Sequence, residues 1–256
     1  KTNLPRIRKS PLRENPAAPD AGQATYAFLN RIKTWAQGQG YKEAVNYSFL
    51  SRQELEVLGL ADAATIMVHN PLSADQDSMR PALTPGLLNT IRFNLDQGNP
   101  DLRFFEIARV FQHNPDSETT ARETNHLGLV LHGRTNPPFW PWPGGSATYS
   151  DCKGSVEHLV LSLGLEQAQF TLNPEPGFCS LDVRITVHGE ELGHLGQLRP
   201  EIAMEIYHAR TPVWLCELDL DSLYRLSAGQ SIVFQSWTKF PPVQRDLTLI
   251  CPPDLR

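Results

Sequence analysis

Residues 70–111, NPLSADQDSMRPALTPGLLNTIRFNLDQGNPDLRFFEIARVF, decide how this chain folds. A polar loop carries Met79-Arg80-Pro81. Thr84-Pro85 predicts a helix start, with threonine as N-cap and proline at the first helical position, where its missing N–H costs nothing. Leu88, Ile91 and Leu95 line one face of that helix, and Gly98-Asn99-Pro100 ends it. Leu102–Phe111 follows as a strand whose two faces are both apolar, which places it inside a sheet rather than at an edge. Asn114–Arg122 is a polar loop, and His126–His132 (HLGLVLH) predicts an antiparallel return strand.

Working outward toward the N-terminus, Ser51 and Glu54 form a capping box that opens a short helix ending near Gly59, and Thr65–His69 predicts a strand. Val45, Tyr47 and Phe49 alternate with Ala44, Asn46 and Ser48, the pattern of a strand with one buried face. Before it, Asp20 caps a helix with Gln23 placed for a capping box. Leu29, Ile32 and Ala36 keep helical spacing there, broadened by Tyr26, Phe28 and Trp35, and Gly38 and Gly40 stop it. Residues 1–19, with Pro5, Pro11, Pro16 and Pro19, predict an extended linker.

Toward the C-terminus, residues 135–148 contain NPPFWPWPGG, whose prolines forbid helix and ladder. The aromatic residues there either pin a loop against the domain or form a patch for a partner. Asp151 can cap a helix in which Val156, Leu159, Val160 and Leu163 keep helical spacing. Leu181, Val183, Ile185 and Val187 alternate as a strand, and His188-Gly189-Glu190-Glu191 turns it into a hairpin with Leu192–Leu198. Pro200 opens a short helix, Val213–Leu220 is a strand, and Lys239-Phe240-Pro241-Pro242 breaks the chain before a last strand, Asp246–Ile250. Hairpins mixed with irregularly spaced helices predict an α+β fold with an antiparallel sheet flanked by helices.

The 256 residues suffice for one large domain or two smaller ones, and 40% hydrophobic content can supply a core. No run approaches the roughly 18 apolar residues of a membrane span, so no membrane role is expected. The chain begins at Lys1 and has no apolar signal-peptide core over Lys1–Asn15, which leads to the expectation of a piece of a longer polypeptide. A net charge of −5 argues against a surface devoted to nucleic acid. Arg6, Arg8, Lys9 and Arg13 form a basic cluster, either a solvated tail or a phosphate-facing linker.

The four cysteines at 152, 179, 216 and 251 lack CxxC spacing and are expected to be reduced thiols in a cytoplasmic protein. The eight histidines include no HxxxH pair, and no metal site is expected. There is no G-x-x-x-x-G-K-[ST] loop, no G-x-G-x-x-G after a strand and no G-x-S-x-G elbow. Gly193 and Gly196 predict a bulge or turn within a hairpin. Glu106, inside the strand, is expected to form a sheet-face ion pair with Arg103 or Arg109 rather than to act as a base.

Helix then strand, ending in FEIARVF, resembles the start of the second signature motif of class II aminoacyl-tRNA synthetases. NPLSADQDSMRPALTPGLL, LRFFEIARVF, GYKEAVNYSF, DCKGSVEHLV, ELGHLGQLRPEI and KFPPVQRDLTLI, in that order, are similar to the bacterial phenylalanyl-tRNA synthetase beta subunit family over nearly the whole chain. The motif residues that carry the likeness are Met79, Arg80, Pro81, Phe105, Glu106 and Phe111.

The resemblance implies a class II synthetase-like core over residues 20–236, a linker at 1–19 from an upstream domain, and at 237–256 the start of a C-terminal anticodon-binding domain of ferredoxin-like fold. It implies a non-catalytic core that scaffolds an alpha subunit and helps position tRNA for phenylalanine attachment. The holoenzyme would be a heterotetramer of two alpha and two beta subunits that uses ATP and magnesium and binds tRNA(Phe). A homodimer of the isolated chain is a further expectation, and a stand-alone interaction module without a ligase role is the alternative.

A catalytic member continues from the strand into Arg-x-Glu, whereas this chain has Gln112-His113-Asn114. Gln112 and Asn114 cannot supply the guanidinium that grips phosphate, so no catalytic residue is expected here. The chain also has Gly177-Phe178-Cys179-Ser180-Leu181 where the family usually has a His-Pro-Gly-Arg-like stretch. By position, residues 20–49 correspond to the motif that builds the subunit interface of class II enzymes. Tyr26, Phe28, Leu29, Ile32 and Trp35 are therefore interface candidates, although the same residues suit an internal core face.

Overall fold

Phe28, Ile32, Trp35 and Ala36 recur at helical spacing, and burying that stripe organises the first third of the chain. The computed structural model describes residues 21–62, 64–117, 119–136, 138–141, 143–165, 168–230, 245, 246 and 248. Helix α1 (Ala21–Gly38) ends where Gly40 takes φ +81° and the Tyr41 N–H donates to the Ala36 carbonyl. Strands β1 (Lys42–Glu43) and β2 (Phe49–Leu50) follow. Helix α2 (Arg52–Val57) has Ser51 as N-cap, its hydroxyl accepting from the Glu54 N–H. Strand β3 (Ser78–Met79) pairs antiparallel with β2 and leads into helix α3 (Thr84–Asp96).

Strands β4 (Leu102–His113) and β5 (Ala121–His132) form a long antiparallel hairpin, the return strand starting five residues before the expected His126. Helix α4 (Tyr149–Ser162) buries Val156, Leu159 and Val160 as its spacing predicts. Its N-cap is Thr148, and Asp151 instead fills the third helical position and completes the capping box. Strands β6 (Gln169–Leu172), β7 (Cys179–Val187) and β8 (Glu190–Leu198) come next. The β7–β8 turn is His188-Gly189, both with positive φ, which matches the right-handed twist of the strands. Helix α5 (Pro200–Glu205), strand β9 (Val213–Asp219) and helix α6 (Leu220–Ser227) complete the α-helices and strands of the described residues.

Among the described residues the main sheet has seven strands in the order β1-β4-β5-β9-β8-β7-β6, antiparallel except for the β1–β4 pair. Helices α1, α4 and α6 cover one face, where Phe105, Leu127, Leu129, Cys216 and Leu218 form a core with Ile32, Val156 and Leu223. Helices α3 and α5 cover the other, where Phe104, Val130 and Leu215 meet Leu83, Leu87, Leu88 and Ile91. This is the expected α+β architecture. Strand β4 lies one place in from the edge, beyond which β1 spans only two residues. Irregular chain covers the rest of that edge: the Phe111 N–H donates to the Arg80 carbonyl and the His113 N–H to the Ala64 carbonyl.

Several local expectations need correction. Val45 and Tyr47 are 89% and 77% exposed, so the buried phase of residues 44–49 is the opposite one. Ala44 and Asn46 turn inward because β1 ends at Glu43 and Asn46 bonds a buried carboxylate. Residues 65–69 form no strand, only a bridge from Met67 to Ser78. Thr84 is the first helical residue, not the N-cap. The loop after β5 is closed at its base by the Arg134–Ser146 bridge, yet Phe139 and Trp140 are exposed. Asp20, the linker at 1–19, most of the segment at 237–256 and Cys251 lie outside the described residues. Among the described residues no helix is long and apolar enough to cross a membrane.

At Gly193 the backbone takes φ +149°, and a Cβ there would sit 2.0 Å from the Glu217 carbonyl oxygen of β9. Gly193→Ala is expected to cost about 1–3 kcal/mol or more, read as a lower urea midpoint at unchanged slope. Gly154→Ala in α4, where an added Cβ meets nothing within 4 Å, should instead stabilise by up to about 1 kcal/mol.

Candidate functional site

Strand register sets Glu106, Gly128, Glu217, His194 and Arg184 in one row across β4, β5, β9, β8 and β7. Residues directly opposite on adjacent strands share a face, so this row lies on the side covered by α3. Its two carboxylates, Glu106 and Glu217, are almost fully buried. A buried charge is tolerated only with close partners, and each carboxylate has them.

Glu106 accepts from Arg80 Nη1 at 2.8 Å, from Asn46 Nδ2 at 2.7 Å and from the Asn46 N–H at 3.2 Å. Arg80 is itself buried and its Nε donates to the Arg109 carbonyl at 2.8 Å. The guanidinium thus ties the Met79-Arg80-Pro81 loop to β4. The expected partners, Arg103 and Arg109, are engaged elsewhere. Arg103 donates to the Gln39 carbonyl and lies over the Tyr41 ring, and Arg109 pairs with Glu123. The reason is strand alternation, which puts positions three apart on opposite faces.

Glu217 holds the start of α3. Its carboxylate accepts from the Leu83 N–H at 3.0 Å, the Thr84 N–H at 3.1 Å and the Thr84 hydroxyl at 2.8 Å, and His126 Nδ1 lies 2.8 Å from it. Helix N-termini leave N–H groups without intrahelical partners and carry partial positive charge, so a carboxylate satisfies both. Burial works to raise the Glu217 carboxyl. The His126 hydrogen bond and charge, the His194 charge and the Leu83 N–H outweigh it, and the net shift is downward. With its end fixed, α3 presses Leu83, Leu87, Leu88 and Ile91 onto the sheet. Gly128 permits this approach, since a Cβ there would lie 2.6 Å from Leu87 Cδ1.

Of the motif residues, Arg80 and Glu106 are brought together, Phe105 lies buried in the core under α1 and α4, and Met79, Pro81 and Phe111 are half-buried. Gln112 and His113 end β4, and neither carries a guanidinium. Among the described cysteines, burial and then the neighbouring Asp182 charge push the Cys179 thiol up to about 12, and burial, followed by the Asp151 charge, raises Cys152 to about 12. Neither has the thiolate character of a nucleophile.

The interface candidates divide. Phe28, Ile32 and Trp35 are buried within the chain itself, Phe28 against Tyr224 of α6 and Trp35 through an Nε1 hydrogen bond of 2.8 Å to His158 of α4. These three are core residues, because α4 and α6 occupy the side they face. Leu29 is half-buried and Tyr26 is exposed. Exposed apolar side chains also occur just past β1, at Val45, Tyr47 and Phe49, with Val57 beside them, and elsewhere at Leu72, Phe93 and Trp140. Tyr47, Phe49 and Val57 line an open groove of about 510 Å³ whose floor includes Glu54, Asn89 and Tyr207.

Residues 10–220 match the family described as phenylalanyl tRNA synthetase beta chain CLM domain. The phenylalanine–tRNA ligase beta subunit of Nitratidesulfovibrio vulgaris is 43% identical over 236 residues, covering 92% of this chain and 29% of the relative. That of Oleidesulfovibrio alaskensis is 42% identical over 249 residues, covering 97% and 30%. The chain therefore spans under a third of the length of these relatives. Among solved structures, the pyrrolysyl tRNA synthetase PylSc of Desulfitobacterium hafniense is similar with a TM-score of 0.63, over 81% of this chain and 70% of that one. At 14% identity, that likeness concerns the fold, which is class II synthetase-like.

Removing one partner of a buried ion pair typically costs about 3–5 kcal/mol because the other charge is stranded. Arg80→Met should fall in that range by urea unfolding, and the double variant Arg80→Met/Glu106→Leu should lose clearly less than the sum of the singles; additive losses would contradict the pairing. The Glu217 carboxyl is lower in the fold than its ordinary value. Its share of stability is therefore full above the unfolded value of about 4.3 and is lost as pH falls through the folded one. Glu217→Gln should flatten the acid limb of the stability–pH curve, and an unchanged limb would count against this role.

Proposed function

The chain belongs to the phenylalanyl-tRNA synthetase beta chain CLM domain family, and we propose that it is the non-catalytic core of a phenylalanine–tRNA ligase beta subunit. Its work on this reading is structural. It scaffolds the alpha subunit in an assembly of two alpha and two beta subunits and helps to position tRNA(Phe) in the cytoplasm. The observation that carries the reading is the locked position of α3, whose leucines occupy the sheet face over β4, β5 and β9.

ATP and magnesium chemistry falls to the alpha subunit in this proposal. Gln112 and Asn114 offer no cationic pair for phosphates. Among the described residues, no group of three or more His, Cys, Asp or Glu stands together as a metal ligand set. The exposed strip at Val45, Tyr47 and Phe49 supports a docking role. It follows α1 and β1, within residues 20–49, which on this reading correspond to the interface motif. The isolated chain, with this strip uncovered, is expected to self-associate as a homodimer.

Tyrosine at an interface centre is among the side chains whose loss costs most. The double variant Val45→Asp/Tyr47→Asp is expected to weaken co-purification with the alpha subunit by about tenfold or more, since about 1.4 kcal/mol suffices for that factor. Both side chains are exposed, so the thermal midpoint of the chain should stay put. Undiminished association of the variant would overturn this placement of the interface.

A further inference from the structure

The polar row across the sheet is compensated at one end only. Glu106 has Arg80 and Asn46, and Glu217 has Leu83, Thr84 and His126. Toward β7 this provision stops. Asp182 on β7 and His194 on β8 lie on the same face, opposite Gly196 and Arg184 respectively. Among the described residues, Asp182 Oδ1 and His194 Nε2 are buried and have no hydrogen-bond partner. The other Asp182 oxygen accepts from Asn173 Nδ2 at 2.7 Å. Asp182 as a whole is only 9% exposed. Unpartnered buried polar atoms are rare in folded proteins, and two on adjacent strands require an explanation.

Both residues line a cleft of about 260 Å³ between the β7–β8 pair and the chain leaving α2. Leu58, Leu60 and Phe178 give it an apolar wall, and Glu175 and Glu191 add carboxylates to its lining. We propose that this cleft binds a small organic cation, a primary ammonium joined to an apolar group. The residue chemistry selects that class. An ionised carboxylate only accepts, so the partner missing from Asp182 is a donor. A charged donor makes the stronger, shorter bond. With its ring proton on Nδ1, His194 offers Nε2 as an acceptor for a second ammonium N–H.

Among the described residues lining the cleft, Arg184 is the one lysine or arginine, and it is paired with Glu191 at 3.2 Å. An anionic ligand would face three carboxylates. A metal ion is disfavoured because no set of three or more ligands converges among the described residues. Neither Val45 nor Tyr47 lines the cleft, so its ligand and the alpha-subunit reading are tested separately.

The test titrates 2-phenylethylammonium, and separately the neutral 2-phenylethanol, into the 256-residue chain by calorimetry and by amide chemical shifts. The ammonium should bind saturably at millimolar concentration or below, about tenfold or more tighter than the alcohol, with shifts on β7 and β8. Asp182→Asn should erase that preference, and His194→Gln should reduce it. Equal binding of the two probes, no saturable binding of either, or a preference that survives Asp182→Asn would overturn the proposal. The comparison of probes on the unaltered chain decides the matter even where a variant fails to fold.

Discussion

A carboxylate on β9 caps a helix that lies 133 residues earlier in the chain, and much of the molecule depends on that contact. Glu217 satisfies the backbone donors at the start of α3 and answers the positive end of its dipole. In exchange, those donors and His126 make its own burial tolerable. The helix then lies where Gly128 leaves room for Leu83 and Leu87. The Arg80–Glu106 pair acts in the same way two strands over, fixing the loop that feeds α3. The two carboxylates, on opposite sides of Gly128, hold the element that fills the sheet face.

That arrangement gives the synthetase likeness its functional meaning. A sheet that serves nucleotide chemistry needs open space and fixed positive charge over its strands. Here the space holds leucine side chains, and the positive charge of Arg80 is consumed by Glu106. The charged row is therefore internal architecture. Toward β7, Asp182 Oδ1 and His194 Nε2 on the same face find no partner among the described residues, and a cleft opens beside them.

Local chemistry made most of the fold legible in the sequence. The α4 stripe, the β7–β8 hairpin and the glycine irregularity in β8 follow from spacing and turn residues that need no distant information. What escaped was non-local or a matter of phase. Thr84-Pro85 has the form of a self-capped helix start, and nothing nearby signals that Glu217 supplies the cap. Alternation alone excludes Arg103 and Arg109 as partners of Glu106, a signal that was present in the sequence. The segment 44–49 alternates, but its buried phase was set by Asn46 reaching Glu106 rather than by hydrophobicity. Phe28, Ile32 and Trp35 fit a core or an interface equally well until α4 and α6 were placed beside them.

The most direct measurement is isotope exchange between ATP and pyrophosphate by the isolated chain in the presence of phenylalanine and magnesium. A sheet face filled by α3, with Gln112 and Asn114 in place of a guanidinium pair, should give no exchange above that of the denatured chain. Exchange that depends on phenylalanine and saturates with ATP would contradict a purely structural core.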